Sequence, residues 1–176
     1  MSVTIHDFTQ GTLVPLLHTL SSLLARGAEK LDPATMVGLR LAPDMHPLTR
    51  QVQFVCFQAV DAAARLTGRL PPEVDTPEET LAQLQRRIAA AIATLRELSA
   101  EALVGAEDRP VRRQIGEQFD LEMTGLQYLR DFTLPNFYFH LVTTYAILRN
   151  HGVDLGKADY MAHIAYALRP RAAATV

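Results

Sequence analysis

The chain has 176 residues, of which 48% are hydrophobic and 20% are charged, and its formal net charge is -2. This composition suits one globular domain with a full core, and it provides no basic field that would attract nucleic acid or an anionic membrane. The single cysteine, Cys56, excludes an internal disulfide and a cysteine-rich metal site. The N-terminal segment lacks the apolar stretch of a signal peptide or membrane span, so we expect a cytoplasmic protein.

A first helix is predicted from Thr4 to Arg26. Thr4 and Asp7 have the spacing of a capping box, and leucines recur on one face of the segment. We expect Gly27 to end this helix. Pro15 lies inside it and is expected to kink the helix or to shift its start, because proline removes one backbone hydrogen bond.

The connector over residues 29–47 is interrupted by prolines and is expected to hold one short helical turn. A second helix, from Pro47 to Thr67, shows the clearest bundle pattern, because apolar residues recur at alternating threes and fours. Its predicted core positions are Leu48, Val52, Val55, Ala59, Ala62 and Leu66. A third helix is predicted to open at Thr76-Pro77-Glu78-Glu79. Its predicted buried face is Leu81, Leu84, Ile88, Ile92 and Leu95.

Residues 110–123 alternate between apolar and polar around Gly116, which predicts a short β-hairpin. Helical periodicity resumes at Thr124 and continues to Asn150, where His151-Gly152 is expected to end it. Pro135 is expected to separate a short helix from the long one. The predicted fold class is therefore all-α, a four-helix bundle with a small β-hairpin accessory. Residues 1–168 are predicted to form one domain, followed by a mobile tail over residues 169–176.

The last long helix carries a polar stripe that includes Asn136 and His140. These residues are four apart, so both side chains lie on one face and can bind the same ligand. Thr143, Thr144 and Ile147 lie on the same side, and such a mixture of polar and apolar groups is typical of small-molecule pockets. The alternative is a buried histidine that hydrogen-bonds to a neighbouring amide.

A second set of polar residues lies where the second helix begins. Asp44 and Gln51 are seven residues apart, so an early helix start would place both on its inner side. Alternatively, Asp44 caps the helix and Pro47 occupies its first turn. His46 is a candidate ligand, although a histidine at a helix entry is more often solvated. Because no His-x-x-x-His or Glu-x-x-His occurs, the spacing indicates a metal site only weakly.

Three further groups are interpreted as parts of the core or the surface. Cys56 lies in an apolar run and is expected in the core. Tyr138 and Tyr145 lie opposite His140 on their helix, where they are candidates for a dimer surface. The basic cluster Arg109, Arg112 and Arg113 lies among acidic residues and is interpreted as a solvated surface.

Three separated segments resemble one known group, in the same order: RLAPDMHPLTRQVQ, GAEDRP and FTLPNFYFHLVTTYAILRNHGVDLGKADYM. They resemble a bacterial family of unknown function, a branch of the DinB/YfiT-like four-helix-bundle superfamily, and the resemblance spans roughly Thr4 to Met161. It implies a DinB-like bundle that is frequently a homodimer. Many members bind a divalent metal through three histidines, and some are thiol-dependent transferases or isomerases.

This resemblance places His140 at the second position of a histidine pair and Asn136 at the first. The ligand from the second helix falls near His46, Gln51 or Gln53. An amide oxygen is a weaker ligand for zinc or nickel than imidazole, so these replacements lower the expected metal affinity.

We therefore predict a small-molecule pocket between the second and fourth helices, lined by Asp44, Gln51, Asn136 and His140. A degenerate zinc or nickel site at His140 and His46 is a further hypothesis. The alternatives are a homodimeric interaction protein without catalysis and a metal- or thiol-dependent transferase. Neither nucleic acid nor a membrane is an expected partner.

Overall fold

The structure, a computed structural model, describes residues 3–71 and 79–169. Its four long helices are α1 (Ile5–Lys30), α3 (Leu48–Leu66), α4 (Leu81–Arg96) and α6 (Leu134–Asn150). The short elements are α2 (Pro33–Met36), β1 (Pro110–Ile115), β2 (Phe119–Thr124), α5 (Gly125–Gln127) and α7 (Lys157–Tyr160), with 3-10 turns at Glu101–Leu103 and Ala162–Ala167 and a π-helical segment at Tyr128–Thr133. The predicted helical bundle with a β-hairpin is confirmed. No helix in these ranges has the length and apolarity needed to cross a membrane.

The start of α1 follows the predicted capping box. The Thr4 side chain accepts a hydrogen bond from the Asp7 backbone N–H, and the Asp7 carboxylate accepts one from the Thr4 backbone N–H. The two bonds satisfy backbone donors that the first helical turn cannot pair internally. Pro15 does not displace this start, because α1 begins at Ile5 and continues through the proline to Lys30.

The predicted end of α1 at Gly27 was wrong, because the helix continues for three more residues. Gly27 is buried, and an added Cβ would lie 2.8 Å from the sulfur of Met36 and 2.9 Å from Cδ2 of Leu148. The glycine is therefore needed for close packing against α2 and α6. Its usual role as a helix terminator does not apply here.

Helix α3 matches its predicted pattern, since all six predicted core positions are fully buried. Pro47 is the N-cap and supplies no side-chain cap, so the predicted alternative of Asp44 as the cap was wrong. Gly68, with φ +73°, follows the last turn in the left-handed region that glycine adopts readily. Cys56 is buried in the core, as predicted.

Helix α4 begins later than predicted. Thr80 is its N-cap and forms a capping box with Gln83. Glu79 precedes the helix, and the rest of the predicted opening, Thr76-Pro77-Glu78, lies outside the described residues. The predicted inner face is confirmed at Leu84, Ile88, Ile92 and Leu95, which are buried, whereas Leu81 is half-buried.

The hairpin and the last helix form one continuous stretch. β1 and β2 pair antiparallel around Gly116, which has φ +61°. As predicted, a short helix, α5, precedes the long helix α6, which begins beside Pro135; the helical path between the two is continuous. The Leu134 N–H donates to the carbonyl of Leu129, five residues back, so the chain enters α6 through a wider π-helical turn. Pro135 then occupies the first turn, where its missing N–H is tolerated.

Helix α3 is the centre of the bundle, because it packs against both α4 and α6, while α1 packs against α4. Gln51 in the first turn of α3 contacts His140 in α6, and Asp61 near the end of α3 contacts Tyr128 just before α6. The two helices are therefore antiparallel. Their interface carries two polar contacts, Gln51 with His140 and Asp61 with Tyr128, which lie about ten residues apart along α3.

Candidate functional site

The polar stripe of α6 meets α3 at Gln51. Gln51 Oε1 lies 2.8 Å from His140 Nδ1, and Gln51 Nε2 donates to the His46 carbonyl oxygen at 3.2 Å. Because Nε2 is the donor in the second contact, the amide oxygen faces the imidazole and can only accept. His140 Nδ1 therefore carries the proton, and Nε2 of the neutral ring keeps its lone pair.

The environment of His140 favours the neutral imidazole. Burial lowers the pKa of His140 to about 4, and the nearby His46 acts in the same direction. Within residues 3–71 and 79–169, no group forms a hydrogen bond to His140 Nε2. The ring thus presents an acceptor that is oriented by Gln51 and is not used by any residue in the described ranges.

Aromatic rings surround the imidazole. The centroid of the Phe54 ring lies 4.6 Å from that of His140 at an interplanar angle of 31°, and Phe139 contacts His140 edge-on at 5.2 Å. His46 packs edge-on against Phe54 at 5.4 Å, and the Arg50 guanidinium lies 4.7 Å above the same ring. His46 and His140 therefore share Phe54 as a neighbour.

Asn136 lies one helical turn before His140 and is half-buried. Its Nδ2 donates to the Phe132 carbonyl at 2.7 Å, which leaves Oδ1 as its acceptor. No described residue hydrogen-bonds to this oxygen. Asn136 and His140 therefore place two available acceptors on one face of α6.

Other predicted site residues lie away from this arrangement or are already hydrogen-bonded. Asp44 is exposed in the turn before α3 and forms no hydrogen bond or ion pair with any other described residue. The hydroxyls of Thr143 and Thr144 donate to carbonyls four residues back in α6. The structure thus brings together Gln51, His140 and the His46 backbone, with Asn136 on the adjacent turn.

The residues present do not fit the three-histidine metal site that the resemblance implies. Gln51 Oε1 is hydrogen-bonded to His140, and His140 is the only imidazole on this face of α6. In the part of the chain that the structure describes, no group of three or more His, Cys, Asp or Glu side chains is placed to hold a metal ion. Amide oxygens are poor substitutes for imidazole at a zinc or nickel centre.

An ionic cluster at the other end of the α3–α6 interface was missed by the sequence analysis. Asp61 is fully buried and pairs with Arg65 Nε at 2.8 Å and Arg113 Nη1 at 3.1 Å. The Tyr128 hydroxyl donates to the same carboxylate. Burial and the hydrogen bond to Asp61 raise the pKa of Tyr128 to about 12, so the phenol stays neutral.

The prediction that the basic cluster is a solvated surface was therefore wrong for two of its three members. Arg113 belongs to the ionic cluster, and Arg109 donates to the Leu66 carbonyl at the end of α3. Arg112 is exposed and pairs with Glu122 across the hairpin, as expected of a solvated residue. The i, i+4 spacing of Asp61 and Arg65 was the one signal in the sequence for this cluster.

The two tyrosines predicted at a dimer surface pack within the chain. The Tyr145 hydroxyl donates to the Leu155 carbonyl at 3.4 Å, and its ring lies 6.4 Å from that of Tyr160. Tyr138 is half-buried against the core. The exposed apolar side chains of α6 are instead Phe139 and Val142, at 59% and 46% exposure.

A separate open groove of about 710 Å³ lies between the start of α1 and residues 100–107. Its lining includes Ile5, Phe8, Leu103 and Leu126, and none of the predicted site residues. The hydrogen-bonding groups of the α3–α6 interface therefore form a different surface.

Comparison with known proteins gives a family and a related solved structure that agree. The family model described as "Domain of unknown function (DUF1993)" matches residues 5–161. The crystal structure of a DinB family member protein from Shewanella denitrificans has 33% sequence identity to the chain and a TM-score of 0.80, and the match covers 89% of this chain and 91% of that chain. No curated protein matches the chain significantly.

Proposed function

The chain belongs to the DUF1993 family of domains of unknown function, with a DinB-like fold, and on this premise we propose that it binds a small polar molecule between α3 and α6. The observation that carries this proposal is the oriented, neutral imidazole of His140. Gln51 fixes the proton on Nδ1, and Nε2 is left as an acceptor beside Asn136 Oδ1. Preorganised acceptors of this kind bind a ligand without the cost of ordering the side chains.

The chemistry of the two acceptors defines the ligand. A molecule with hydroxyl, amine or amide N–H groups can donate to His140 Nε2 and Asn136 Oδ1 at once. The Phe54 ring against the imidazole supplies an apolar contact. Small-molecule sites commonly combine a few placed polar groups with such aromatic walls.

Ligand binding is a better proposal for His140 than base catalysis. An efficient general base has a pKa near the working pH, whereas burial lowers the pKa of His140 to about 4. The imidazole is therefore a weak base at neutral pH but a permanent hydrogen-bond acceptor. A metal-dependent transferase receives less support from this site than a binding function, because no group of three or more His, Cys, Asp or Glu side chains among the described residues is placed to hold the ion.

The proposal is tested with a library of small alcohols, amines and amides, screened against the wild-type protein by ligand-observed NMR. Fragments at this site should bind the His140→Ala and Asn136→Ala variants about 2- to 10-fold more weakly, the loss expected for one hydrogen bond. Val104→Ala, at a residue that is 76% exposed and lies outside α6, is the control. Fragment affinities that are equal in all four proteins would count against the site, provided that circular dichroism shows each variant folded.

Zinc and nickel are tested separately, because His140 and His46 remain the proposed ligands of a degenerate metal site. Thermal unfolding of protein without a histidine tag is measured with each ion. A metal-dependent rise in Tm that disappears in both His140→Ala and His46→Ala would support the metal form. A metal-dependent rise in Tm that persists in either variant would show that the ion binds elsewhere.

A second candidate is a homodimeric interaction protein. The specific observation in its favour is the exposure of Phe139 and Val142, three residues apart on one face of α6. Phe139 also contacts His140 edge-on, so a partner at this face would adjoin the proposed ligand site.

A further inference from the structure

The ionic cluster around Asp61 has an excess of positive charge. Two guanidinium groups, from Arg65 and Arg113, contact one carboxylate, and Tyr128 contributes a neutral hydroxyl. The side chains of the two arginines retain 16% and 18% exposure. No second carboxylate among the described residues forms an ion pair with either of them. Charges that are largely removed from water normally have a counter-ion, because burial without one is costly.

Arg113 uses one of its three side-chain nitrogens in hydrogen bonds to residues that the structure describes. Nη1 donates to Asp61 Oδ2 at 3.1 Å and to the Tyr128 hydroxyl at 2.8 Å. Nε and Nη2 form no hydrogen bond with the described residues. These two nitrogens make up the side-on edge of the guanidinium, which matches a carboxylate or phosphate with two parallel hydrogen bonds.

The flat faces of this guanidinium are held by aromatic rings. Arg113 Cζ lies 4.8 Å from the Phe132 ring centroid and 5.2 Å from that of Phe57. Together with the bonds of Nη1, these contacts fix the plane of the group. A side chain that is already ordered loses less conformational entropy when a ligand binds than a mobile surface arginine does.

We propose that the side-on edge of Arg113 binds the oxoanion of a small ligand, a carboxylate or a phosphate monoester, with Arg65 supplying the adjacent positive charge. The anion would balance the second guanidinium of the cluster. Asp61 and Tyr128 act as positioning residues, since both contact Arg113 through Nη1. The exposed Arg112, which is paired with Glu122, lacks this fixed geometry.

This oxoanion site lies towards the other end of the α3–α6 interface from His140, so a ligand that extends the proposed site to Arg113 must be elongated. Phe132 connects the two, because its ring packs on Arg113 and its carbonyl accepts from Asn136 Nδ2 at 2.7 Å. A single molecule with a hydrogen-bond donor at His140 and Asn136 and an oxoanion at Arg113 would occupy both. That one molecule fills both sites rests on the proposed function, whereas the oxoanion site itself is inferred from the Asp61 cluster alone.

The test uses the intact protein and two simple anions, acetate and inorganic phosphate, at constant ionic strength. The ¹H–¹⁵N resonance of Arg113 Nε is followed by NMR during each titration. Saturable binding is expected in the wild-type protein, and the tighter of the two anions identifies the oxoanion class. A small linear shift shared by all arginine resonances would show only non-specific screening and would overturn the proposal.

Arg113→Lys is the decisive variant, because it keeps a positive charge beside Asp61 but lacks the two-nitrogen edge. Without one bidentate contact, the affinity for the preferred anion should fall about 10-fold or more, as followed from backbone amide shifts of residues around Phe132. Arg112→Lys alters the neighbouring residue of β1 and should change the affinity for the anion by less than about twofold. Equal anion affinity in the Arg113 variant and the wild type would overturn the proposal. If Arg113→Lys does not fold, the wild-type Nε titration decides the question by itself.

His140→Ala separates the two proposals. It should leave acetate or phosphate binding within about twofold of the wild type, because no contact joins His140 to Arg113, while it weakens fragments that need the imidazole acceptor. Anion binding without any His140-dependent fragment would support the oxoanion site and contradict the proposed function. Loss of anion binding in His140→Ala would contradict an oxoanion site built on Arg113.

Discussion

At His140, the burial that lowers the imidazole pKa also makes stability depend on pH. Its pKa is about 4 in the folded protein, against an ordinary value of 6.5. As the pH falls from 6.5 towards 4, the unfolded chain binds a proton that the folded protein does not, so the free energy of unfolding decreases. Above about pH 7 both states are neutral and this contribution does not change with pH.

His140→Gln should remove that part of the pH dependence, which amounts to at most about 3 kcal/mol for a shift of this size. Urea unfolding of wild type and variant between pH 4 and pH 7 measures the difference, because all other groups titrate in both proteins. The wild type should lose more stability on acidification. Parallel pH profiles would show that His140 titrates normally.

Gln51 determines which nitrogen of His140 carries the proton, so its replacement should change the pKa. Gln51→Glu places a carboxylate beside the Nδ1–H, and an opposite charge at this distance should raise the pKa of His140 by about 1 to 3 units. The NMR titration of the imidazole Cε1–H measures the shift. Gln51→Met, similar in size and uncharged, is the control and should leave the pKa depressed.

Asp61 holds two guanidinium groups, and its removal should be among the more damaging single substitutions. Asp61→Ala leaves Arg65 and Arg113 without their carboxylate, which should reduce the free energy of unfolding by about 3 to 5 kcal/mol. Tyr128→Phe removes only a hydroxyl and should cost about 2 kcal/mol. Urea unfolding at neutral pH compares the two variants. A larger loss in Tyr128→Phe would contradict the assignment of the carboxylate as the centre of the cluster.

The candidate site could be predicted from the sequence only where its contacts repeat at helical spacing. Asn136 and His140 are four residues apart in one helix, and the polar stripe they form was visible without a structure. The contact of Gln51 with His140 joins positions 89 residues apart, and that of Arg113 with Asp61 joins positions 52 apart. Such pairs depend on how the helices and the hairpin pack against each other, so no local sequence pattern identified Arg113 or Tyr128 as a partner of Asp61.

At the scale of one element, α1 contains two glycines whose replacement by alanine should have opposite effects on stability. Gly11 has no atom within 4 Å of an added Cβ, whereas Gly27 has the Met36 sulfur at 2.8 Å and Leu148 Cδ2 at 2.9 Å. Gly11→Ala should stabilise the protein by about 0.5 to 1 kcal/mol, because alanine has less backbone freedom to lose in the helix.

Gly27→Ala should gain the same helix propensity but must displace two packed side chains, and overpacking typically costs about 1 to 3 kcal/mol. The net effect should be a loss of stability, or at best no gain. Thermal unfolding of the two variants gives the comparison within one helix. A Tm increase at Gly27 equal to that at Gly11 would show that α2 and α6 can move away from α1 without cost.

The elements themselves were largely predictable, because their signals are local. The alternating threes and fours of α3 and the capping box at Thr4 depend on neighbours in sequence alone. The errors arose where a residue with a familiar local role serves a distant contact. Gly27 has the chemistry of a terminator but packs against Leu148. The π-helical turn before Pro135 is a further feature that no local pattern predicts.

At the scale of the molecule, both candidate sites lie along the interface between α3 and α6. The first turn of α3 carries Gln51, which orients His140, and its last turns carry Asp61, which orients Arg113. Because α3 and α6 are antiparallel, the two polar contacts lie at different heights along one interface. A ligand that reached both would cross-link the centre of the bundle, so its binding should raise the Tm of the whole protein.

Self-association is the last prediction, and it concerns the outer face of α6. Phe139 and Val142 are 59% and 46% exposed on neighbouring turns, and burying them against a second copy would remove apolar surface from water. We expect light scattering to give twice the chain mass of 19.5 kDa for the wild type. Phe139→Glu should give the monomer mass, because a buried charge at the interface is costly.

Val104→Glu is the matched control, since Val104 is 76% exposed but lies outside α6. It should leave the mass unchanged, and a monomeric wild type would contradict the prediction. Phe139 contacts the edge of the His140 ring, so association through this face would also cover one side of the proposed ligand site. Fragment affinity should therefore rise or fall with protein concentration across the association range, whereas an independent dimer face would leave it constant.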